Sequence, residues 1–204
     1  MTAKFCLFLL FILFLHGCSL VSNQPNNATT VLNQTLKERN QQMKALSQWQ
    51  ISGKIAFIQQ DKRDSANLFW QHLDAQNQRL NLTTYLGINV LKLESKNGLH
   101  TLEVDGKTYQ GDDLSVLIYQ LTQLPLPTKA LHYWLKGLPY LQTDQITLDE
   151  KTSLPKLLTS TFNQQKWQIS YQGYQTVNSH QLATKLVIKQ KQLTIKININ
   201  EWKL

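Results

Sequence analysis

From residue 193 to residue 200 the chain reads Leu-Thr-Ile-Lys-Ile-Asn-Ile-Asn, so Leu193, Ile195, Ile197 and Ile199 alternate strictly with polar residues. A period of two puts the four apolar side chains on one face of a β-strand and the polar ones on the other. Such a strand needs neighbours with the same one-sidedness and something to cover their shared apolar face. The pattern recurs along the chain. Trp49, Ile51, Gly53, Ile55 and Phe57 alternate with Gln50, Ser52, Lys54 and Ala56. Ala66, Leu68 and Trp70 follow, then Leu80 with Leu82, Leu91 with Leu93, and Leu102 with Val104, while 166–171 and 183–189 repeat it later. Asp105-Gly106 is a hairpin turn signal. The expected sheet is an antiparallel meander.

Helical spacing interrupts the meander. Asp112-Asp113 stands before Leu114, Leu117, Ile118, Leu121 and Leu124, an apolar stripe that Pro125 and Pro127 end. Residues 128–136 read as a second short helix stopped by Gly137, and 31–47 as an amphipathic one. Nine or more strands with helices in the middle predict a mainly β fold with α: a curved antiparallel sheet with helices on its concave side. A fully closed barrel is the structural alternative.

The N-terminus sets the compartment. Lys4 precedes an eleven-residue apolar run from Phe5 to Leu15, against the roughly 20 residues a spanning helix needs. That is the size of a signal-peptide core. Leu15-His16-Gly17-Cys18 resembles a bacterial lipobox, whose cysteine receives lipid; an ordinary secretory signal is the alternative. The expected division is a lipoprotein signal peptide over 1–17, lipidated Cys18 with a flexible polar tether to residue 30, and a single domain over 31–204. Ser19 follows the cysteine, where aspartate is the familiar inner-membrane retention residue, so the expected location is the outer membrane, periplasmic face. The sequons at Asn27, Asn33 and Asn81 lose their meaning in a bacterium.

Residues for chemistry are sparse. Cys6 and Cys18 are the two cysteines, which excludes a disulfide scaffold or a cysteine-rich metal site. His72, His100, His132 and His180 stand singly, without ligand spacing, and read as strand or loop surface residues. Gly106-Lys107-Thr108 ends like a phosphate loop, but Thr101 occupies the place of its first glycine. No nucleophile elbow occurs, carboxylates are few with no pair in the strands that recommends itself as an acid–base couple, and dispersed lysines argue against nucleic acid despite the +8 charge. The chain is expected to be no enzyme, with no catalytic residue, metal or cofactor. Five tryptophans on apolar faces suit either a packed core or a lined hollow.

Trp49-Gln-Ile-Ser-Gly-Lys-Ile-Ala56, Ser65-Ala-Asn-Leu-Phe-Trp-Gln71, Leu86-Gly87, Tyr133-Trp-Leu-Lys-Gly-Leu-Pro139, Trp167-Gln-Ile-Ser-Tyr171, Gly173-Tyr174 and Ile195-Lys-Ile-Asn-Ile-Asn-Glu-Trp202 occur in that order. With the lipobox, they resemble the LolB family of outer-membrane lipoprotein receptors from Cys18 to the C-terminus. The resemblance implies an unclosed half-barrel with a helical lid and a hydrophobic cavity for acyl chains. It implies the periplasmic carrier LolA as partner, lipoproteins as cargo and outer-membrane phospholipid as their destination. Matched to the family, Leu86 is the protruding residue that touches the membrane, with Tyr85 and Gly87 in the same loop; the family usually carries proline where Tyr85 stands. Strand parity nominates Trp49, Ile51, Ile55, Phe57, Leu68, Trp70, Leu80, Leu82, Leu91, Leu93, Trp134 and Trp167 for the cavity wall. The chain is expected to act as a monomer. The alternative functions are a soluble carrier of the same fold, an outer-membrane assembly or structural lipoprotein that binds protein partners, and an anchored hydrolase.

Overall fold

A computed structural model describes residues 27–204 apart from Asp61, with side chains from residue 35 onward. The chain divides into two units, Met1–Asn33 and Gln34–Leu204; the account below concerns the second. The leader over 1–17 and Cys18 lie outside the described residues.

Eleven strands form one antiparallel sheet. They are β1 (Trp49–Gln59), β2 (Lys62–His72), β3 (Gln78–Thr83), β4 (Asn89–Lys96), β5 (Leu99–Val104), β6 (Lys107–Gly111), β7 (Gln145–Leu148), β8 (Pro155–Phe162), β9 (Gln165–Val177), β10 (His180–Gln190) and β11 (Leu193–Lys203). Their spatial order is β6-β5-β4-β3-β2-β1-β11-β10-β9-β8-β7. The chain enters at the centre of the sheet, meanders to one edge, crosses to the other edge and meanders back until β11 pairs with β1. β6 and β7 are unpaired edges, so the sheet is not a closed barrel.

The crossing carries α2 (Leu114–Thr122) and α3 (Thr128–Leu135), while α1 (Asn27–Ala45) precedes β1. α1 begins four residues ahead of its expected start, inside the stretch read as tether. Asp113 caps α2, its carboxylate accepting from the backbone N–H groups of Ser115 (2.8 Å) and Val116 (3.1 Å). The C-terminal end of α3 is held from three directions. Arg39 of α1 donates to the carbonyls of Lys136 (2.9 Å) and Gly137 (3.2 Å). The Tyr171 hydroxyl donates to the Trp134 carbonyl (2.9 Å), and Lys136 Nζ reaches back to the Leu46 carbonyl (3.0 Å). These donors satisfy the carbonyls a helix leaves free at its end, and the two cations lie at the negative end of the dipole. Beneath them Met43, Ile51, Trp134, Leu135, Leu138, Trp167 and Ile169 are all but solvent-free.

β1 and β11 meet in an irregular register at Ser52/Gly53, where β11 carries one extra residue. A Cβ on Gly53 would sit 2.0 Å from the Asn198 carbonyl oxygen. The central pair can therefore approach this closely only with glycine there. Gly53→Ala is expected to cost about 3 kcal/mol through this overpacking, read as a lower urea midpoint at unchanged slope.

Candidate functional site: an apolar cavity between sheet and helices

A cavity of about 370 Å³ lies between the sheet and the crossing helices, within the ~300–1,000 Å³ usual for small-ligand sites. Eight of the residues nominated by parity line it: Ile55 and Phe57 from β1, Leu68 and Trp70 from β2, Leu80 and Leu82 from β3, Leu91 and Leu93 from β4. Cross-strand registers stack them in rows, Trp70 opposite Leu80, Leu80 opposite Leu93, and Leu68 opposite Leu82 opposite Leu91. Ile195 and Ile197 of β11, Leu102 of β5, Leu114 and Ile118 of α2, Leu124, Leu126, and Leu131 of α3 complete the apolar lining. The Leu193–Ile199 alternation and the Leu114–Leu124 stripe already carried the signal for most of these additions. The Trp70 indole N–H is satisfied by Gln78 Oε1 at 3.0 Å, so this wall exposes no unpaired donor from Trp70 to the hollow.

Trp49, Ile51, Trp134 and Trp167 do not line this cavity; each is buried in the packed core. Trp49 and Ile51 share a face with Ile55 and Phe57, but at the end of β1 that α3 covers. There the Trp49 ring lies 5.2 Å from Trp70, 5.8 Å from Trp202 and 6.0 Å from His132. Trp134 and Trp167 pack on each other at 5.7 Å.

Two of the four histidines, His72 and His132, depart from the surface placement expected of them. His72 and His132 come from β2 and α3, and their rings lie 4.6 Å apart against Trp49 and Trp70. Both Nδ1 atoms are sealed from solvent and without a hydrogen-bond partner. Burial, reinforced by His72 and Lys136, pushes His132 down to about 3 from 6.5; burial and then Lys136 lower His72. The signal available in the sequence was parity, since His72 continues the row of Leu68 and Trp70.

At the other end of β3 and β4 a tight loop projects. Leu82 and Leu91 face each other in the cavity wall, and the register slips immediately beyond them. Thr84 N–H donates to the Ile88 carbonyl (2.8 Å), Gly87 N–H to the Thr84 carbonyl (3.0 Å), and Ile88 N–H to Thr84 Oγ1 (3.2 Å). Asn67 Nδ2 braces the Thr84 carbonyl from β2 (3.0 Å). Gly87 takes φ +81°, which a side chain at that position would resist. The turn leaves Tyr85 91%, Leu86 81% and Ile88 64% exposed, with Val90 also exposed. Half of the eight exposed large apolar residues among the described residues thus fall within six positions, a clustering of the kind found at protein or membrane interaction sites.

The fold and this hollow define a class: an open antiparallel half-barrel that keeps an apolar cavity under a helical cover. The same fold occurs in a LolA superfamily protein from Nitrosomonas europaea, with TM-score 0.54 at 9% identity, covering 84% of this chain and 92% of that one. The pattern of the family described as "Outer membrane lipoprotein LolB" matches residues 47–202. The outer-membrane lipoprotein LolB of Pectobacterium atrosepticum is 36% identical over 192 residues, 93% of this chain and 91% of its own. That of Tolumonas auensis is 32% identical over 206 residues, covering 100% and 96%. The chain belongs to the LolB family of outer-membrane lipoproteins, a lipoprotein-localisation family and not an enzyme family. No helix among the described residues is long and apolar enough to cross a membrane.

The depressed His132 has a consequence for stability. Between about pH 6.5 and 3 the unfolded chain binds a proton there that the folded chain does not. Stability is therefore fully present above the unfolded value and falls as the pH drops through this window, by up to ~1.4 kcal/mol per pH unit. His72 contributes in the same direction. Urea midpoints measured from pH 7 to pH 4 should fall less steeply for His132→Phe than for wild type.

Proposed function

We propose that the chain is the outer-membrane receptor that takes lipoproteins from the periplasmic carrier LolA. It holds their acyl chains in the cavity and inserts them into the inner leaflet of the outer membrane. Lipidated Cys18 anchors it, the residues between Cys18 and the start of α1 at Asn27 are its tether, and the domain works as a monomer without cofactor.

The reading is supported above all by one juxtaposition. The cavity-wall pair Leu82 and Leu91 leads, within the same hairpin, into the braced loop that projects Tyr85 and Leu86 into solvent. The hairpin that lines the store also carries the part that would enter a bilayer. Four residues of extended chain from Leu82 to Leu86 span only about 13 Å, so a chain leaving the cavity at this end has little water to cross.

Energetics set the direction. Each CH₂ moved from water into an apolar site gains about 0.8 kcal/mol, so one acyl chain exposed to water carries on the order of 10 kcal/mol. Cargo must pass from hollow to hollow and then into lipid, each step downhill in affinity, because the periplasm offers no ATP to drive it. A leucine-lined hollow suits this: it shelters a chain without fixing its shape, and the bilayer still wins. Tyr85, Leu86 and Ile88 add roughly 2 kcal/mol each if fully buried in lipid, enough to dock the mouth of an already anchored domain.

Mixing the protein with lipoprotein-loaded carrier and liposomes separates the two steps. Leu86→Glu should accept cargo as well as wild type yet deliver at most about a tenth as much to the liposomes, since a carboxylate at the loop tip resists the bilayer. Equal delivery by the variant overturns the role of the loop, and failure of the wild type to accept cargo overturns the receptor reading.

A further inference from the structure

The end of the cavity remote from the Leu86 loop opens onto different chemistry. Gln78, Leu114, Thr128 and His132 line both the apolar cavity and a second hollow of about 850 Å³ that is open to solvent. Its wall carries the cations Lys44, Lys129 and Lys136, the carboxylates Asp74, Asp112 and Asp113, and the rings of His72, His100 and His132.

Most of these charges are already engaged. Lys136 donates to the Leu46 carbonyl. Asp74 accepts from the backbone of Gln76 and Asn77 and from the Asn77 amide, and Asp113 caps α2. His100 Nδ1 is held by Ser95 Oγ at 2.7 Å. Lys44 and Lys129 are exposed and have no ion-pair partner among the described residues; Asp112 is the one carboxylate not occupied by backbone N–H groups. At the junction, the sealed Nδ1 atoms of His72 and His132 leave Nε2 as the edge of each ring that meets the hollow. A sealed, unpartnered lone pair costs less than a sealed N–H, which places the proton of each neutral ring on Nε2. The junction thus offers hydrogen-bond donors, and the mouth beyond it two uncommitted ammonium groups.

We propose that this second hollow seats the polar acylglycerol head of the amphiphile whose chain lies in the cavity. The imidazoles of His72 and His132 donate to its ester oxygens, and Lys44 and Lys129 face its outer, acceptor-rich part. The inference rests on the cavity holding an acyl chain. It fixes the orientation of the cargo: head toward the histidines, chain running toward the Leu86 loop. An acylglycerol head has two sources, a phospholipid and a glyceryl-modified cysteine, and the test separates them.

Three ligands carrying the same bromine-labelled sixteen-carbon chain are titrated against the full-length protein held in amphipol: a long-chain alcohol, a lysophosphatidylglycerol and an S-acylglyceryl-cysteine peptide. Bromine in the cavity quenches tryptophan emission through Trp70. At least one head-bearing ligand should bind roughly tenfold tighter than the alcohol, the worth of one charge-assisted hydrogen bond. The ligand that does so identifies the source. The gain should shrink severalfold in Lys44→Ala/Lys129→Ala, whose side chains are exposed and outside the cavity, and in His132→Phe, with alcohol binding unchanged in the lysine variant. Equal affinity for all three ligands, or a gain untouched in the lysine variant, overturns the head site while leaving the cavity reading intact. Absence of quenching by every ligand overturns the cavity reading and the head site with it.

Discussion

Two helices of nine and eight residues lie across the apolar face of an eleven-stranded sheet. They are too short to cover it evenly, and the structure answers by covering it in two different ways. Around α3 the contact is dense. Its last turn is pinned by Arg39, Lys136 and Tyr171, and the tryptophans beneath it fill the space. Around α2 the contact is shallow. Leu114 closes a small cluster with Leu93 and Leu102, and between that cluster and β1 the leucines of β2, β3 and β4 face a hollow instead of a partner. Interiors of this density do not deform smoothly, so a firmly clamped α3 allows the neighbouring space to stay open without the sheet collapsing into it.

The one-sided strands were legible because apolar residues recur at every second position even where Phe69 breaks the alternation in β2, most plainly in β11, and the helix limits because Asp113, the prolines and Gly137 are local signals. β7 and β8 escaped notice for equally local reasons. β7 has four residues, and β8 begins on Pro155 and carries Leu157 beside Leu158, which breaks the period of two. The division between cavity and core was not legible. Trp49 and Ile51 share strand, face and residue class with Ile55 and Phe57; what separates them is which of them α3 reaches, and that depends on contacts with residues some eighty positions away in the chain. His72 and His132 were missed because isolated histidines carry no spacing signal, and their meeting is a product of the β2–α3 packing alone. Leu86 was legible from its neighbour, since Gly87 in a short link between two strands leaves the preceding side chain few places but outward.

The resulting cavity is apolar in the middle and polar at both ends. Gln59 and Asp64, beside the β1–β2 turn, share one end with the Leu86 loop, while Gln78, Thr128 and His132 form the other. These ends need not be equivalent. At the histidine end the polar atoms belong to buried rings and a clamped helix, a fixed arrangement. At the loop end Asp64 is exposed and the nearest apolar residues project beyond the fold.

Under the proposed function this asymmetry makes the strand axis a direction of travel for an acyl chain. A chain retreating toward the histidines would exchange leucine contacts for desolvated polar groups, and burying methylenes against those gains little. A chain moving the other way leaves leucines for the short exposed rim at Asp64 and then, once the loop is seated in lipid, for more hydrocarbon. Under the proposed function the greater affinity of the bilayer sets the direction of release, and the unequal ends of the cavity decide which exit a chain takes; that inequality arises from where α3 is fastened.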